Sequence, residues 1–470
     1  RRQTTFSGPI ISGEGQLNFL VLGALLAPAW AADVQCLNPG DSLQDAYNQA
    51  AEEAGIVGSV EGGVICLNAG DFGEEELRLN REISIVFRGA GGRVSDQWMG
   101  QESVFRGKVF VELGSKVSFE DMTFIGQGSR NFYISSTANE VVFSGLGILQ
   151  DIMPEETGAA VKIDGSAGQT SLTIDGSYFY ENSAGVLNGG HIWVSHADLT
   201  VSNTTFSGGK AHKGGAVYLE ENVGASFENV VFSLNDTGDD GGAIYVKSAD
   251  VELGLVDVEF SQNTADGHGG AIFIKDTSGV IIEGGKFKLN EAVGNGGAIY
   301  VKDYLQQDII VDPYQVPAGP GPGPGPHPIE DHLQLTLNGV GFASNEAVEG
   351  GAVFVNSGRV DVALGSEFKS NKASDGGAIG SGNGTLYVKN SAFQNNQASG
   401  LGGAILCDNT TICAIYDSTF SKNEADIGAG VAFDGVSAAE ARRNLFCQNA
   451  VAQADTGWLG FGGSHGGGIS

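Results

Sequence analysis

The sequence predicts an all-β fold, a right-handed parallel β-helix with a short N-terminal capping helix. A two-part motif, Phe-x-x-Asn followed by Gly-Gly-Ala-Ile/Val, recurs along the chain, and its Phe positions lie 25 to 28 residues apart with one step of 55. A period in this range is typical of stacked structural repeats. No repeat contains an apolar helical pattern of ten or more residues, which argues against a helical solenoid. Glycine makes up 74 of 470 residues, as a turn-rich stack requires.

Each part of the motif has a structural explanation. Short alternations of apolar and polar residues, such as Val256–Phe260, predict strands, and the glycines mark turns between them. We expect the Phe of each coil to stack on its neighbours inside the bore, and the Asn to form a hydrogen-bonded ladder. The anchoring phenylalanines are Phe179, Phe206, Phe232, Phe260, Phe287, Phe342, Phe368, Phe393, Phe420 and Phe446.

The strand after Gly-Gly carries an aromatic residue at its second position. Because side chains alternate between the faces of a strand, we expect the flanking aliphatic residues to face the bore and the aromatics to face out. A second layer could cover these rings, either the insertion or a partner subunit. They could also act only by stacking, or bind polysaccharide or protein. The predicted stripe is Tyr218, Tyr245, Phe273, Tyr300 and Phe354.

The N-terminal part predicts a cap. Residues 41–51 form a short amphipathic pattern with Asp or Ser in the capping position, and a Gly-Gly-Val strand and further strands follow over 62–89. This order resembles the start of pectin-lyase-like right-handed β-helices. We therefore assign 32–100 to the cap and first coils, and 101–456 to the β-helix. Such a helix would plug the open end of the apolar bore.

Three segments are expected to lie outside the regular coils. Residues 1–31 contain an apolar run ending in Ala-x-Ala and predict a secretory signal segment, which is too short for a transmembrane span. Residues 304–331 include a Gly-Pro repeat that cannot join a β-ladder, so they predict a loop insertion. Residues 457–470 predict a Gly-rich tail.

Charge and cysteine content indicate the compartment. The net charge of −31 argues against nucleic-acid partners and anionic membrane surfaces, and it permits divalent cations or basic partners. Cys36 and Cys66 flank the cap helix, and Cys407 and Cys413 bracket a short loop, so both pairs are disulfide candidates of a secreted protein. No Cys or His group has zinc spacing, and we expect no metal site.

The best catalytic candidates are weak. Asp239 and Asp240 share a turn, and Asp266 and His268 follow one coil later. Such carboxylates could hold Ca²⁺ or act as an acid and base, but turns favour Asp in any case. No strand shows the alternation of Asp and basic residues that polyuronide-cleaving β-helices use. The sequence therefore favours a protein without catalysis and without a cofactor.

The repeated motif resembles that of the chlamydial polymorphic outer-membrane proteins, over about residues 175–450. Those proteins are autotransporter adhesins with β-helical passengers, so the resemblance implies a secreted or cell-surface protein, adhesin-like or structural. It implies partners such as a polysaccharide or a cell-surface protein, and self-association through the aromatic stripe is a further hypothesis. The alternative is a polysaccharide lyase or glycoside hydrolase of the pectin-lyase-like superfamily. No C-terminal β-barrel pattern accompanies the repeats.

Overall fold

The structure is a computed structural model that describes residues 36–451, except 58–60, 91–101, 127, 129, 136–137, 153–156, 166–169, 249, 277–278, 303–332 and 411, together with 460–461. The predicted signal segment 1–31 therefore lies outside the described residues. So does the insertion 304–331, and so does the tail 457–470 apart from 460–461. Within the described part the predicted parallel β-solenoid is confirmed, with one short helix near the N-terminus.

Each full coil contributes strands to four sheets, which we number in the order in which the chain visits them after Gly-Gly. Every strand pair described here is parallel except β45 with β49. The long strand β6 (Lys108–Glu120) runs through both sheet 1 and sheet 2. Neighbouring coils are therefore about 4.8 Å apart, the usual spacing of paired strands.

Sheet 1 follows the Gly-Gly corner. Besides β6 it contains β3 (Glu76–Asn80), β8 (Phe132–Ser135), β11 (Val161–Asp164), β14 (Ile192–Ser195), β18 (Val217–Glu220), β22 (Ile244–Lys247), β26 (Ile272–Lys275), β30 (Ile299–Lys302), β33 (Val353–Val355), β37 (Ile379–Ser381), β41 (Ile405–Asp408), β45 (Val431–Asp434) and β49 (Gly460–Phe461).

Sheet 2 comes next in each coil. Besides β6 it contains β1 (Glu61–Cys66), β4 (Ser84–Arg88), β9 (Ala138–Ser144), β12 (Ser171–Asp175), β15 (Asp198–Ser202), β19 (Val223–Glu228), β23 (Val251–Val256), β27 (Gly279–Glu283), β31 (Leu333–Asn338), β34 (Arg359–Ala363), β38 (Thr385–Lys389), β42 (Ile412–Tyr416) and β46 (Ala438–Arg442).

Sheet 3 carries the anchoring phenylalanines from β13 onward. It contains β2 (Gly70–Asp71), β5 (Ser103–Phe105), β7 (Met122–Ile125), β10 (Gly147–Leu149), β13 (Tyr178–Tyr180), β16 (Thr205–Ser207), β20 (Val231–Ser233), β24 (Glu259–Ser261), β28 (Lys286–Lys288), β32 (Gly341–Ala343), β35 (Glu367–Lys369), β39 (Ala392–Gln394), β43 (Thr419–Ser421) and β47 (Leu445–Cys447).

Sheet 4 is made of two-residue strands just before Gly-Gly and has two parts. They are β17 (Lys210–Ala211), β21 (Asp236–Thr237), β25 (Thr264–Ala265) and β29 (Glu291–Ala292), then β36 (Lys372–Ala373), β40 (Gln397–Ala398), β44 (Glu424–Ala425) and β48 (Ala450–Val451). The coils on either side of residues 303–332 are adjacent, since β30 pairs with β33 and β27 pairs with β31.

Helix α1 (Leu43–Val57) lies at the N-terminal end of the solenoid. The Ser42 hydroxyl accepts a hydrogen bond from the backbone N–H of Asp45 at 3.1 Å, so Ser42 is the N-cap. Leu43 and Tyr47 are buried in the same apolar cluster as the first strands. The helix therefore covers the first coils with its apolar face, as a solenoid end requires.

The bore is filled by the residues that the motif predicts. From Phe206 to Phe446, successive motif phenylalanines stack with ring centroids 4.6 to 5.0 Å apart and planes within 13° of parallel. The rings are fully buried through Phe420, so each contributes its apolar area to the core. The predicted phenylalanine stack is confirmed.

The predicted asparagine ladder is confirmed as well. The Asn263 side-chain amide, for example, donates to Asn290 Oδ1 at 2.9 Å and to the carbonyl of Phe232 at 3.0 Å. The backbone N–H of Asn263 also donates to Asn290 Oδ1, at 3.1 Å. The ladder thus satisfies buried backbone groups at a corner where the strands cannot. It continues through Asn345, Asn371, Asn396, Asn423 and Asn449.

The two glycines of the corner have separate roles. Gly269 has φ +65°, a conformation that glycine adopts at little cost. A Cβ on Gly270 would lie 2.3 Å from the carbonyl oxygen of Gly297 in the next coil. The first glycine therefore turns the chain, and the second allows coils to stack at strand spacing.

Both candidate cysteine pairs are joined in the structure. Cys36 is bonded to Cys66, and Cys407 is bonded to Cys413. Cys447 is free and exposed.

Candidate functional site: a tyrosine and arginine groove on sheet 2

The aromatic stripe is present, but the prediction that it faces solvent is wrong. Its rings form a cluster of their own outside the bore, with Trp193 packed at one end. Tyr218 and Tyr245 stack with centroids 5.1 Å apart, and Tyr245 and Phe273 do so at 4.9 Å. The exposed fractions of Tyr218, Tyr245, Phe273, Tyr300 and Phe354 are 3%, 3%, 3%, 4% and 7%.

The rings are covered by the chain itself, through the polar residues that precede Gly-Gly. His268 stacks on the ring of Tyr300 at 4.5 Å, and the Lys213 ammonium lies 4.9 Å from the centroid of Tyr245. Burial raises the pKa values of Tyr218 and Tyr245. The stripe is therefore a stacking device, and it offers no open surface to a ligand or a second copy.

The four weak catalytic candidates mostly hold the turns together. Asp240 Oδ1 accepts a hydrogen bond from the His268 backbone N–H at 3.0 Å, and His268 Nδ1 accepts one from the Asn295 backbone N–H at 2.9 Å. The Lys213 ammonium lies 3.2 Å from Asp239 Oδ2 and 3.8 Å from Asp240 Oδ2.

Asp240 and His268 lie in the turns just before Gly-Gly, which we call the turn column. Loss of hydration is the largest cause of their pKa shifts. Burial raises the pKa of Asp240 and lowers that of His268. Asp266 is exposed, and no hydrogen bond or ion pair among the described residues links its carboxylate to the other three. The structure thus brings Asp239, Asp240 and His268 together and uses their polar atoms to anchor neighbouring coils.

A column of residues on the outer face of sheet 2 is instead partly open to solvent, although Ala414 within it is buried. The strand register places one residue of each coil directly beside the next over eight strands, about 34 Å at strand spacing. We call this column, with its flanking residues, the sheet-2 face. The column is Ser226, Gly254, Ile281, Thr336, Asp361, Tyr387, Ala414 and Glu440.

The C-terminal half of this face contains a groove of about 440 Å³. It is lined by residues of three neighbouring strands, β34, β38 and β42, and by Arg443 in the turn after β46. Tyr387 and Tyr416 are both half-buried and leave part of each ring accessible. We call this the Tyr387–Tyr416 groove. Its other polar lining residues are Arg359, Asp361, Lys389 and Arg443.

Two bidentate ion pairs fix the walls of the groove. Arg359 donates from Nε and Nη2 to the two oxygens of Asp361, both at 2.9 Å, and its guanidinium lies 4.6 Å from the Tyr387 ring centroid. Arg443 donates to both oxygens of Asp417 at 2.6 and 2.7 Å and thereby lowers the pKa of that carboxyl. Such forked pairs are geometrically specific, so they orient the groove.

The Tyr416 hydroxyl and Lys389 complete the polar lining. The hydroxyl donates to Glu440, which raises the pKa of Tyr416, and Arg442 also pairs with Glu440. Lys389 is exposed and interacts electrostatically with Asp417, whose carboxylate is already paired with Arg443. Within the described residues, Lys389 thus stands as a cation without a hydrogen-bonded carboxylate of its own.

The N-terminal half of the sheet-2 face is a shallow trough of about 630 Å³. Its floor is nearly free of side chains because the register places Gly224 and Gly279 on either side of Glu252, and Gly254 between Ser226 and Ile281. The trough and the Tyr387–Tyr416 groove thus lie on the same outer face of sheet 2.

The sequence motifs do not predict this groove. The two tyrosines and Arg359 lie on sheet-2 strands, and Arg443 lies in the turn after β46. The motif phenylalanines lie on sheet 3, and Gly-Gly lies at the corner before sheet 1. One signal was available. Four of the chain's 25 basic residues fall on four neighbouring sheet-2 strands, β34, β38, β42 and β46, and the turn after them, together with two tyrosines.

No group of three or more His, Cys, Asp or Glu side chains in the described ranges is placed to hold a metal ion. Among the same residues, no helix is long and apolar enough to cross a membrane.

The class defined by fold and site is a parallel β-solenoid with an extended, partly aromatic outer face. A model of the Chlamydia polymorphic membrane protein (Chlamydia_PMP) repeat matches residues 257–275 and 390–408. Each match runs from a sheet-3 strand through the ladder asparagine and Gly-Gly to the following sheet-1 strand. The chain thus carries repeats of this type on a parallel β-solenoid, as the motif predicted. No curated protein matches the chain, and no solved structure does either.

Proposed function

We propose that the protein is a secreted or cell-surface β-helix, adhesin-like or structural, that binds an extended partner along the sheet-2 face without catalysis. The observation that carries this proposal is the repeat match at 257–275 and 390–408, which places polymorphic membrane protein repeats on the solenoid. The partner would be a polysaccharide or a cell-surface protein. A rigid array of coils suits such a role because it presents one long surface.

The arrangement of carboxylates supports binding over catalysis. In the groove, Asp361 and Asp417 are each neutralised by a forked arginine, and Glu440 is shared by Tyr416 and Arg442. In the turn column, Asp240 Oδ1 and His268 Nδ1 each accept a hydrogen bond from a backbone N–H group. A general acid or base needs a free lone pair or proton within reach of substrate.

The test uses the purified full chain. It is incubated with immobilised acidic and neutral polysaccharides and with extracellular-matrix proteins, with and without Ca²⁺, and both retention and new reducing or unsaturated ends are measured. Retention on at least one of these polymers without new ends is the expected result. Retention on none of them would contradict a binding role. Release of new ends that is abolished in Asp240→Asn would establish the alternative, a polysaccharide lyase or hydrolase.

A further inference from the structure

The Tyr387–Tyr416 groove differs in charge from the rest of the chain. The protein carries a net charge of −31, whereas the groove and its rim combine four basic residues with three acidic ones. The basic residues are Arg359, Lys389, Arg442 and Arg443, and the acidic ones are Asp361, Asp417 and Glu440. The local net charge is therefore +1, so an anionic ligand is repelled less here than by the acidic surface as a whole.

The rings of the groove favour a saccharide. The π face of an aromatic ring is negative, so it attracts the polarised C–H face of a sugar ring. Tyr387 and Tyr416 lie on adjacent strands with parts of both rings accessible. The volume of about 440 Å³ falls in the range of small-ligand sites.

We propose that the Tyr387–Tyr416 groove binds an anionic saccharide chain. The two tyrosine rings pack against sugar rings, Lys389 and Arg443 bind the carboxylate or sulfate groups, and Asp361 accepts hydrogen bonds from hydroxyls. Arg443 donates to Asp417 from Nε and Nη2, so the N–H groups of its Nη1 remain to donate to a ligand anion while the pair stays intact. Lys389 has no hydrogen-bonded carboxylate to give up. This inference rests on the proposed binding function and names its ligand class.

The test measures binding of the full chain to three soluble polymers at low and physiological salt. Heparin supplies sulfate and carboxylate groups, hyaluronan supplies carboxylates alone, and dextran is neutral. We expect binding to heparin, hyaluronan or both, but not to dextran, and the two anionic arms separate sulfate from carboxylate recognition. Binding should weaken as salt rises, because exposed charges are screened over about 8 Å at physiological ionic strength.

The variants are Lys389→Gln, Tyr387→Ala and Tyr416→Phe, with Lys288→Gln as the matched control. Lys288 is an exposed lysine on the outer face of sheet 3, away from the groove. Lys389→Gln and Tyr387→Ala should each weaken anionic binding roughly tenfold, a usual loss for one important contact. Tyr416→Phe keeps the ring and should bind nearly as the parent does. Lys389→Gln alters only an exposed side chain, so it remains informative if Tyr387→Ala is poorly folded.

Three results would overturn the inference: equal binding of dextran, equal binding of polyglutamate in place of a saccharide, or unchanged affinity in both Lys389→Gln and Tyr387→Ala. If the parent protein is retained on a matrix protein but on no anionic saccharide, this inference fails while the proposed function stands. If the parent protein is retained neither on a matrix protein nor on any saccharide, both this inference and the proposed function fail.

Discussion

The side chain of His191 fills the space that opens where Gly209 replaces an asparagine of the ladder. The register aligns Gly209 with Asn182 in one coil and Asn235 in the next, so an asparagine is missing there. The Asn182 side-chain amide donates instead to His191 Nδ1 at 2.8 Å. A Cβ on Gly209 would lie 2.6 Å from His191 Nε2. His191 itself stands where most coils have alanine, so the two departures from the motif compensate one another.

This pair predicts a pH dependence of stability. Burial lowers the pKa of His191 to about 3, with a partial offset from the side chain of Asn235, and its Nε2 has no hydrogen-bond partner among the described residues. The folded protein keeps the ring neutral, whereas the unfolded chain binds a proton near pH 6.5. Stability from this site is therefore complete above about pH 6.5 and falls by about 1.4 kcal/mol per pH unit as pH drops toward 3.

The measurement compares parent and His191→Ala by chemical denaturation at several pH values. His191→Ala should be less stable at pH 7, because it leaves a void that no ladder asparagine fills, and the gap between the two proteins should narrow as pH falls. A gap that stays constant from pH 7 to pH 4 would contradict the assignment. His212→Ala is the control, since His212 is an exposed histidine in a turn.

The asparagine ladder predicts a large effect from one substitution. Asn290→Ala removes the acceptor for the Asn263 N–H and amide and the donor to the Phe260 carbonyl, all within a fully buried turn. Leaving these groups unpaired should lower the free energy of unfolding by about 2–4 kcal/mol. The control is Asn383→Ala, at an exposed position. Equal unfolding midpoints for the two variants would contradict the ladder's role.

The second glycine of the corner predicts a steric limit. Gly270→Ala places a methyl group 2.3 Å from the Gly297 carbonyl oxygen and 2.5 Å from that of Glu291. The coils must separate locally, which should cost about 1–3 kcal/mol or more. Gly254→Ala is the matched control, because a Cβ there meets nothing within 4 Å. Thermal unfolding followed by circular dichroism should show a lower midpoint for Gly270→Ala alone.

The buried aromatic cluster predicts that its members stabilise the fold. Tyr245→Ser removes a ring that is 3% exposed and stacked on Tyr218 and Phe273, so it should cost about 3–5 kcal/mol. Tyr387→Ser removes a half-buried ring on the outer face and should change stability by no more than about 1 kcal/mol. Comparison of the unfolding curves of the two variants tests whether the aromatic stripe is buried. An exposed stripe would make the loss of stability in Tyr245→Ser as small as that in Tyr387→Ser.

The repeat itself determined most of the architecture. Motif spacing, alternation and glycine content predicted a parallel β-solenoid, the phenylalanine stack and the asparagine ladder. These features depend on local periodicity and on contacts between equivalent positions of adjacent coils. A sequence with a regular period specifies both, because each residue's neighbour is the same residue one period away.

The tertiary structure alone decided which outward-pointing residues meet solvent. Strand alternation correctly pointed Tyr245 away from the bore, but His268, Lys213 and the turns before Gly-Gly fold over that side of sheet 1 and bury the ring cluster. Among the residues that the structure describes, no comparable layer covers Tyr387 on sheet 2. Periodicity fixes the face of a strand on which a side chain lies, whereas exposure depends on how the corners pack across coils, which the local pattern does not encode.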